Sequence, residues 1–181
     1  MKPYLLAMYN VLKIGIKKIQ CKKIECKGMQ LFSFQTKILV KKTSTISLGG
    51  RIVSDGRVAI IVDENAELII GNKVYFNEGT MISCKKNIEI GSGCLFGPNV
   101  KVFDNNHKFN ADNGVLGEHT TGAISIGENC WIGSNVVILK GSQIGKNCVI
   151  GASCVISGKI PDSSIVTQNR EIKINPIKEK K

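Results

Sequence analysis

Apolar positions along most of the chain recur every six residues, and most of them are an aliphatic or aromatic residue followed by glycine. From Ile126 to Ile156 the six-residue units follow one another without a slip, and each opens on isoleucine. Steps of the same kind, such as Phe96-Gly97, occur from Ile70 onward. Such a short, regular period is typical of a solenoid, in which stacked coils bury a continuous core.

Each unit predicts a short strand with its aliphatic residue inside, a tight corner that glycine permits, and a small inward residue four positions on. Three units complete one triangular coil, so residues 18 positions apart should stack. The predicted stacks are Ile126 on Ile144, Ile132 on Ile150, Ile138 on Ile156 and Cys130 on Cys148. The predicted small inward residues are Val74, Thr80, Cys94, Val100, Cys130, Val136, Ser142, Cys148 and Cys154.

Two breaks in the period stand out. The spacing from Ile70 to Ile90 is two residues longer than a coil, which predicts a bulge near Lys85. A much larger break predicts an excursion loop at residues 108–125, immediately after His107. A long loop leaving a regular solenoid is usually functional.

The ends of the chain are less regular. Before Ile70 the spacing predicts irregular coils, and after Ile156 residues 157–161 are expected to leave the prism, with 164–167 as a further strand. We therefore predict three parts: a basic amphipathic segment (1–23), a β-helix domain (24–160) and a C-terminal extension and tail (161–181).

The first segment carries apolar residues every three or four positions, which predicts an amphipathic helix. Residues 1–45 hold ten lysines and one acid, Glu25, a net charge of +9 out of +11 for the chain. Two interpretations stay open: a cap on the domain with its lysines in water, or a surface resting on an anionic membrane. A membrane span and secretion are not predicted, because no apolar run is long enough and no cleavage motif follows it.

Charge and cysteine usage exclude further classes. The basicity belongs to one end and lacks interleaved aromatic residues, so no nucleic-acid partner is predicted. The seven cysteines are odd in number and contain no Cys-x-x-Cys pair. Four of them fall on small inward positions, which predicts buried thiols in a reducing compartment rather than disulfides or metal ligands.

Over about residues 46–161 the chain resembles the hexapeptide-repeat acyltransferases, in particular the branch with maltose, galactoside and capsular or lipopolysaccharide sugar O-acetyltransferases. The stretch from Trp131-Ile-Gly-Ser134 to Ile150-Gly-Ala152, with the downstream Ile160-Pro161, carries the resemblance. It implies an all-β fold, a left-handed parallel β-helix with a short N-terminal helical segment and an excursion loop. It also implies a homotrimer that binds acetyl-CoA between neighbouring subunits.

By this resemblance, a histidine shortly after a Pro-Asn-Val coil is the general base. Pro98-Asn99-Val100 leads to His107, and a pKa near neutrality suits an imidazole to take a hydroxyl proton. Asp104, which we assign to the substrate-binding residues, either orients that imidazole or caps the loop turn. His119 either contacts the acceptor or is a solvated loop histidine.

The resemblance also assigns acceptor-binding positions. Asn77 matches an active-site asparagine of galactoside-type enzymes, and the alternative is a corner residue in a left-handed conformation. The acidic residue that helps to hold the sugar in those enzymes falls on Lys85. The acceptor is therefore expected to differ from galactoside or maltose, and a lysine there would suit a phosphorylated or acidic glycan.

For the coenzyme, the resemblance places main-chain groups of Ser134 and Ala152 along the pantetheine arm. Trp131 either walls the site or packs at an exposed corner. Ser157, Lys159 and Arg170 fall near the positions that contact coenzyme phosphates, although residues 168–171 depart from the usual segment there.

These observations predict an acetyl-CoA-dependent O-acetyltransferase acting on a sugar hydroxyl of a cell-surface glycan or its precursor, in the cytoplasm or at the inner face of the membrane. Two alternatives remain: N-acetylation of an amino-sugar nucleotide, and a noncatalytic scaffold. No metal is expected, since the related γ-type carbonic anhydrases need three zinc-binding histidines and the chain has two.

Overall fold

The computed structural model describes residues 3–21 and 23–168. One helix, α1 (Pro3–Gln20), precedes a succession of short strands. In chain order the strands are β1 (Ile24–Cys26), β2 (Leu31–Phe32), β3 (Lys37–Val40), β4 (Thr45–Leu48), β5 (Val53–Ser54), β6 (Ala59–Val62), β7 (Glu67–Ile70), β8 (Tyr75–Phe76), β9 (Met81–Cys84), β10 (Asn87–Ile90), β11 (Leu95–Phe96), β12 (Lys101–Phe103), β13 (Asn105–Asn110), β14 (Gly114–Thr121), β15 (Ile124–Ile126), β16 (Trp131–Ile132), β17 (Val137–Leu139), β18 (Gln143–Ile144), β19 (Val149–Ile150), β20 (Val155–Ile156), β21 (Lys159–Ile160) and β22 (Ile165–Val166).

Three parallel sheets form the faces of a prism. Sheet A has the order β1-β4-β7-β10-β15-β18-β21, sheet B the order β2-β5-β8-β11-β16-β19-β22, and sheet C the order β3-β6-β9-β12-β17-β20. The chain visits A, B and C in turn, so each circuit is one coil. The expected fold class, a left-handed parallel β-helix with an N-terminal helix and an excursion loop, is confirmed.

Coil length falls from the first coil to the last. Paired residues are 22 positions apart in the early coils (Ile38 with Ile60), 18 apart later (Ile126 with Ile144), and 16 apart at the end (Gln143 with Lys159). The early coils are therefore regular, and only their longer period hid them. The expectation that residues 157–161 leave the prism is wrong, because β21 and β22 pair with the preceding coil.

The core follows the predicted alternation. The three isoleucine stacks occur with the predicted register. All nine predicted small inward residues are buried, and Phe76 and Phe96 stack inside the prism with ring centroids 4.9 Å apart. The cysteines are free, and burial, followed by the charge of Asp104, raises the pKa of the Cys84 thiol to about 12. That thiol therefore stays protonated and packs as a small apolar group.

The glycines after the isoleucines have a different role from the one predicted. A Cβ added to Gly127 would lie 2.5 Å from the backbone nitrogen of Lys146 in the next coil. The left-handed corner comes two residues later, at Asn129 (φ 56°) and Asn147 (φ 56°). The repeat therefore uses glycine for close coil-to-coil approach and asparagine for the turn.

Helix α1 covers the first coil of the prism. Ala7 and Ile14 are buried, and Asn10 donates from Nδ2 to the backbone carbonyl oxygen of Phe32 at 2.9 Å. The ammonium group of Lys13 donates to the carbonyl of Thr36. These contacts fit the interpretation of the N-terminal segment as a cap on the domain. Across the described part of the chain, no helix has the length and apolar character needed to cross a bilayer.

Candidate active site

The excursion is an antiparallel hairpin, β13–β14, that leaves the prism at the edge between sheets C and A. It begins at Asn105, three residues before the predicted start, and its tip turns at residues 111–113. At its base, the Gly122 N–H donates to the carbonyl oxygen of Asp104 at 2.8 Å, and β15 has already rejoined sheet A by Ile124. The coil is thus closed under the hairpin, which projects as a separate element.

The hairpin brings the two histidines of the chain together. His107 on β13 lies directly opposite His119 on β14, with ring centroids 4.3 Å apart and the ring planes inclined by 41°. The same register runs from Asn105 opposite Thr121 to this pair, and it shifts only beyond it, between His107 and Phe109. His119 is half-buried and packs on His107, which departs from the solvated-loop alternative.

Asp104 fixes the turn beneath the hairpin. It is completely buried, and its carboxylate accepts backbone N–H bonds from Lys85 (2.8 Å), Lys86 (2.7 Å) and Asn87 (3.0 Å). A further bond comes from the side-chain amide of Asn105 at 3.1 Å. These contacts match the loop-cap interpretation of Asp104. They leave its carboxylate facing the bulge. The sequence instead predicts that this carboxylate orients the base or binds substrate.

Lys85 lies at the same edge of the prism and is engaged by an acid from the neighbouring coil. Its Nζ lies 2.5 Å from Oδ2 of Asp63, and both side chains are about one-third exposed. The Lys85 hydrogen bond is the main cause that lowers the pKa of Asp63. An ammonium paired in this way offers an acidic acceptor less charge than the sequence suggested.

The edge between sheets C and A also sets the protonation of His119. Removal from water is the largest cause that lowers its pKa, followed by the positive charge of Lys85 and the neighbouring His107, while Asp63 opposes them. The neutral imidazole is the form that can accept a proton. The surroundings of the histidine pair therefore favour the neutral form of His119.

We predict that Lys85→Met raises the pKa of His119, because the substitution removes a nearby positive charge and leaves the Asp63 carboxylate unpaired. An NMR titration of the imidazole Cε1–H resonances measures this change. Lys146→Met is the matched control, since Lys146 is exposed and lies near Asp162 instead. An unchanged pKa in the Lys85 variant would show that Lys85 has no electrostatic contact with the pair.

A second group of predicted site residues lies at a different edge, between sheets B and C. Asn77 follows β8, Ser134 follows β16 and Ala152 follows β19. Asn77 has no left-handed backbone, so the corner alternative does not describe it, and its Oδ1 accepts the Glu78 N–H at 2.9 Å. It lines a cavity of about 360 Å³ with Arg57, Glu78, Gly79, Pro98 and Asn99. One chain therefore does not bring Asn77 to His107.

Trp131 lies on the outer face of sheet B, with 57% of its surface exposed. It stacks between Leu95 and Val149 of the adjacent coils. Together with Tyr75 and Ile165, these residues form an outward apolar column. The column places Trp131 on the prism face that ends at the Ser134 and Ala152 corner.

Only two of the three residues predicted to contact the coenzyme phosphates lie in the described part of the protein. Ser157 and Lys159 are exposed at the edge between sheets C and A, as is the histidine hairpin. Lys159 lines a cavity of about 530 Å³ with Ser125, Gln143, Ile144, Gly145, Ile160, Pro161 and Asp162. Arg170 lies outside the described residues. Within those residues, no cluster of three His, Cys, Asp or Glu side chains is placed to hold a metal ion.

The sequence did not identify three contacts of the site. Asp63 pairs with Lys85, and Lys140 donates to Oγ1 of Thr120 at 3.0 Å, which ties β14 to the next coil. The amide of Asn105 also donates to the carbonyl of Ser83 at 3.1 Å. Recognition of the 22-residue period would have placed Asp63 beside Lys85.

Comparisons with known proteins match the repeat region and the fold of the chain. Residues 123–158 match the family model "Bacterial transferase hexapeptide (six repeats)". The galactoside O-acetyltransferase of Escherichia coli is 36% identical over 96 residues, which cover 53% of this chain and 47% of the relative. That of Lactococcus lactis is 34% identical over 95 residues, with 52% and 46% covered.

Among solved structures, a mutant of AntD, an N-acyltransferase from Bacillus cereus in complex with dTDP-4-amino-4,6-dideoxyglucose and coenzyme A, superposes with a TM-score of 0.68. It is 17% identical, and the match covers 89% of this chain and 87% of that one, which establishes a shared fold. The repeat region of the chain is therefore similar to that of hexapeptide-repeat acyltransferases. It spans about half the length of the curated relatives that it matches.

Proposed function

We propose that the protein is an acyltransferase that moves an acetyl group from acetyl-CoA to a sugar hydroxyl. The observation that carries this proposal is the histidine pair, held on a hairpin at the largest break of a hexapeptide-repeat solenoid. The galactoside O-acetyltransferase relatives support a sugar acceptor. A cell-surface glycan or its precursor, modified in the cytoplasm where acetyl-CoA is available, is the acceptor class that we assign.

His107 is the general base in this proposal. Its ring takes the proton of the acceptor hydroxyl as the oxygen attacks the thioester carbonyl carbon. The tetrahedral intermediate then collapses, the carbon–sulfur bond breaks, and the coenzyme leaves as a thiolate that recovers the proton from the imidazolium. General-base catalysis of this kind contributes about 10² to 10⁴ in rate.

The division of the predicted site residues between two edges of the prism supports a homotrimer with its sites between subunits. The C–A edge of one copy carries His107 and Lys159, whereas the B–C edge carries Asn77 and the main-chain groups of Ser134 and Ala152. In a homotrimer, the C–A edge of one subunit would face the B–C edge of the next, and the coenzyme would lie between them. An N–H group at the B–C corner would then stabilise the oxyanion of the thioester.

The proposed function has a second candidate. AntD is an N-acyltransferase whose structure holds a dTDP-amino sugar, and it shares the fold over most of both chains. An amine acceptor would use the same base, since the attacking nitrogen also loses a proton. A panel that offers hydroxyl and amino sugars separately distinguishes the two acceptors.

Calorimetric titration with acetyl-CoA tests the proposal first. We expect saturable binding near one site per chain, followed by release of free coenzyme thiol when a suitable acceptor is added. Desulfo-coenzyme A, which lacks the transferable group, is the control that should bind without turnover. A folded protein with no coenzyme binding would contradict the acyltransferase proposal and favour a noncatalytic scaffold.

A further inference from the structure

Helix α1 presents a second apolar face, which is largely exposed among the described residues. Its large apolar side chains at this face are 49% to 82% exposed: Tyr4, Leu5, Met8, Val11, Leu12, Ile16 and Ile19. Their spacing of three, four and seven residues places them along one side of the helix. We call these seven residues, together with the adjacent Met29, the outer stripe.

The outer stripe is distinct from the face that caps the prism. Ala7, Asn10 and Ile14 point to the first coil and are buried, so the packing of α1 on the solenoid is already complete without the stripe. Met29, from the loop after β1, is 49% exposed and extends the apolar surface beyond the helix. The stripe and this loop line an open groove of about 550 Å³. A contiguous exposed surface of this kind marks an interaction site.

The part of the protein that carries the outer stripe is predominantly positive, with Glu25 on β1 as its one acid among residues 1–45. Helix α1 contains no acidic residue, and Lys17 and Lys18 lie in its last turn. Lys23 and Lys27, which follow the helix, are exposed, as are Lys37, Lys41 and Lys42 in the adjoining coil. An occupant of the stripe must therefore combine apolar groups with negative charge.

We infer that the outer stripe binds the surface of an anionic phospholipid bilayer, with α1 lying in the plane of the interface. A bilayer offers both requirements at once, acyl chains for the stripe and anionic headgroups for the lysines. A second copy of the chain offers the apolar groups only, and its lysines would face those of the first copy with like charge. The inference is independent of the proposed acyl transfer.

Vesicle flotation with the full chain tests this inference. We expect the protein to float with phosphatidylcholine vesicles that contain about one third phosphatidylglycerol, and to remain in solution with phosphatidylcholine alone, because the lysines supply much of the attraction. Added salt should release it from the anionic vesicles.

The variant Val11→Gln with Leu12→Gln removes two side chains of the stripe that are 69% and 66% exposed, so it leaves the core intact. Partitioning should fall by about tenfold or more for each side chain, since an apolar side chain of this size contributes on the order of 1.5 kcal/mol or more when it leaves water. Val115→Gln, at an equally exposed apolar position on the hairpin, is the matched control and should float like the wild type.

Three outcomes would overturn the inference. The first is a wild-type protein that ignores anionic vesicles, and the second is equal flotation with neutral and anionic ones. The third is a change in oligomer mass, measured by sedimentation equilibrium without lipid, that appears only in the double variant, because the stripe would then be a contact between copies. Acetyl-CoA titration of the same samples reports separately on the proposed activity.

Discussion

Replacing His107 with alanine should lower the turnover number for acetyl transfer by about 10² to 10⁴, the contribution of a positioned general base. His107 is exposed on β13, so the substitution removes an imidazole without opening a cavity in the core. Steady-state assays of thiol release measure the loss. Circular dichroism and acetyl-CoA titration should match those of the wild type.

The matched variant is His119→Ala, which removes the partner ring at 4.3 Å and leaves His107 in place. It should retain more activity than His107→Ala, since the partner packs on the base without accepting the substrate proton. A larger loss in the His119 variant would transfer the role of base to His119. Full activity in His107→Ala would refute the proposed mechanism.

The second large effect is on stability. Asp104→Ala should lower the free energy of unfolding by on the order of 3 kcal/mol, because three backbone N–H donors at the bulge lose their acceptor in a buried site. The anchor of the hairpin base should loosen as well, which lowers activity. Urea denaturation followed by circular dichroism measures the change.

Asp112→Ala is the control for this experiment, since Asp112 is exposed near the hairpin tip. We expect it to change stability by less than about 0.5 kcal/mol, as is usual for surface substitutions. If the Asp104 variant is as stable as the wild type, water has replaced the carboxylate at the bulge. The buried cap would then have no energetic role.

The regular part of the fold could be predicted from the sequence because the same residue type recurs at a fixed spacing of six positions. Isoleucine at every sixth position, from Ile126 to Ile156, predicts the stacking that the structure shows. The early coils do not show the six-residue period because β3, β4, β6 and β7 are four residues long, which lengthens each coil to 22 residues. Glycine also follows only some of their aliphatic residues, as at Leu48-Gly49. The six-residue period therefore predicts the later coils and not the early ones.

The site was predicted less completely, for a different physical reason. His107 was predicted from the family resemblance and from its place before the break, which predicted an excursion loop but not its hairpin form. The opposition of His107 and His119 depends on the register of the hairpin, which shifts beyond this pair and which nothing local in the sequence specifies. Contacts between coils, such as that of Asp63 with Lys85, also require the register of two distant segments.

The cap formed by α1 has a consequence for how the protein behaves at high concentration. The first coil of a parallel solenoid ends in unpaired strand edges that invite the edge of another molecule. Three side chains from α1 and the residue after it donate hydrogen bonds to backbone carbonyl oxygens of this coil: Asn10 to Phe32, Lys13 to Thr36, and Cys21 to Ser44. The helix thus blocks end-to-end growth of the coils into a fibre. Helix α1, whose outer stripe faces away from the prism, therefore also protects the protein from aggregation through its first coil.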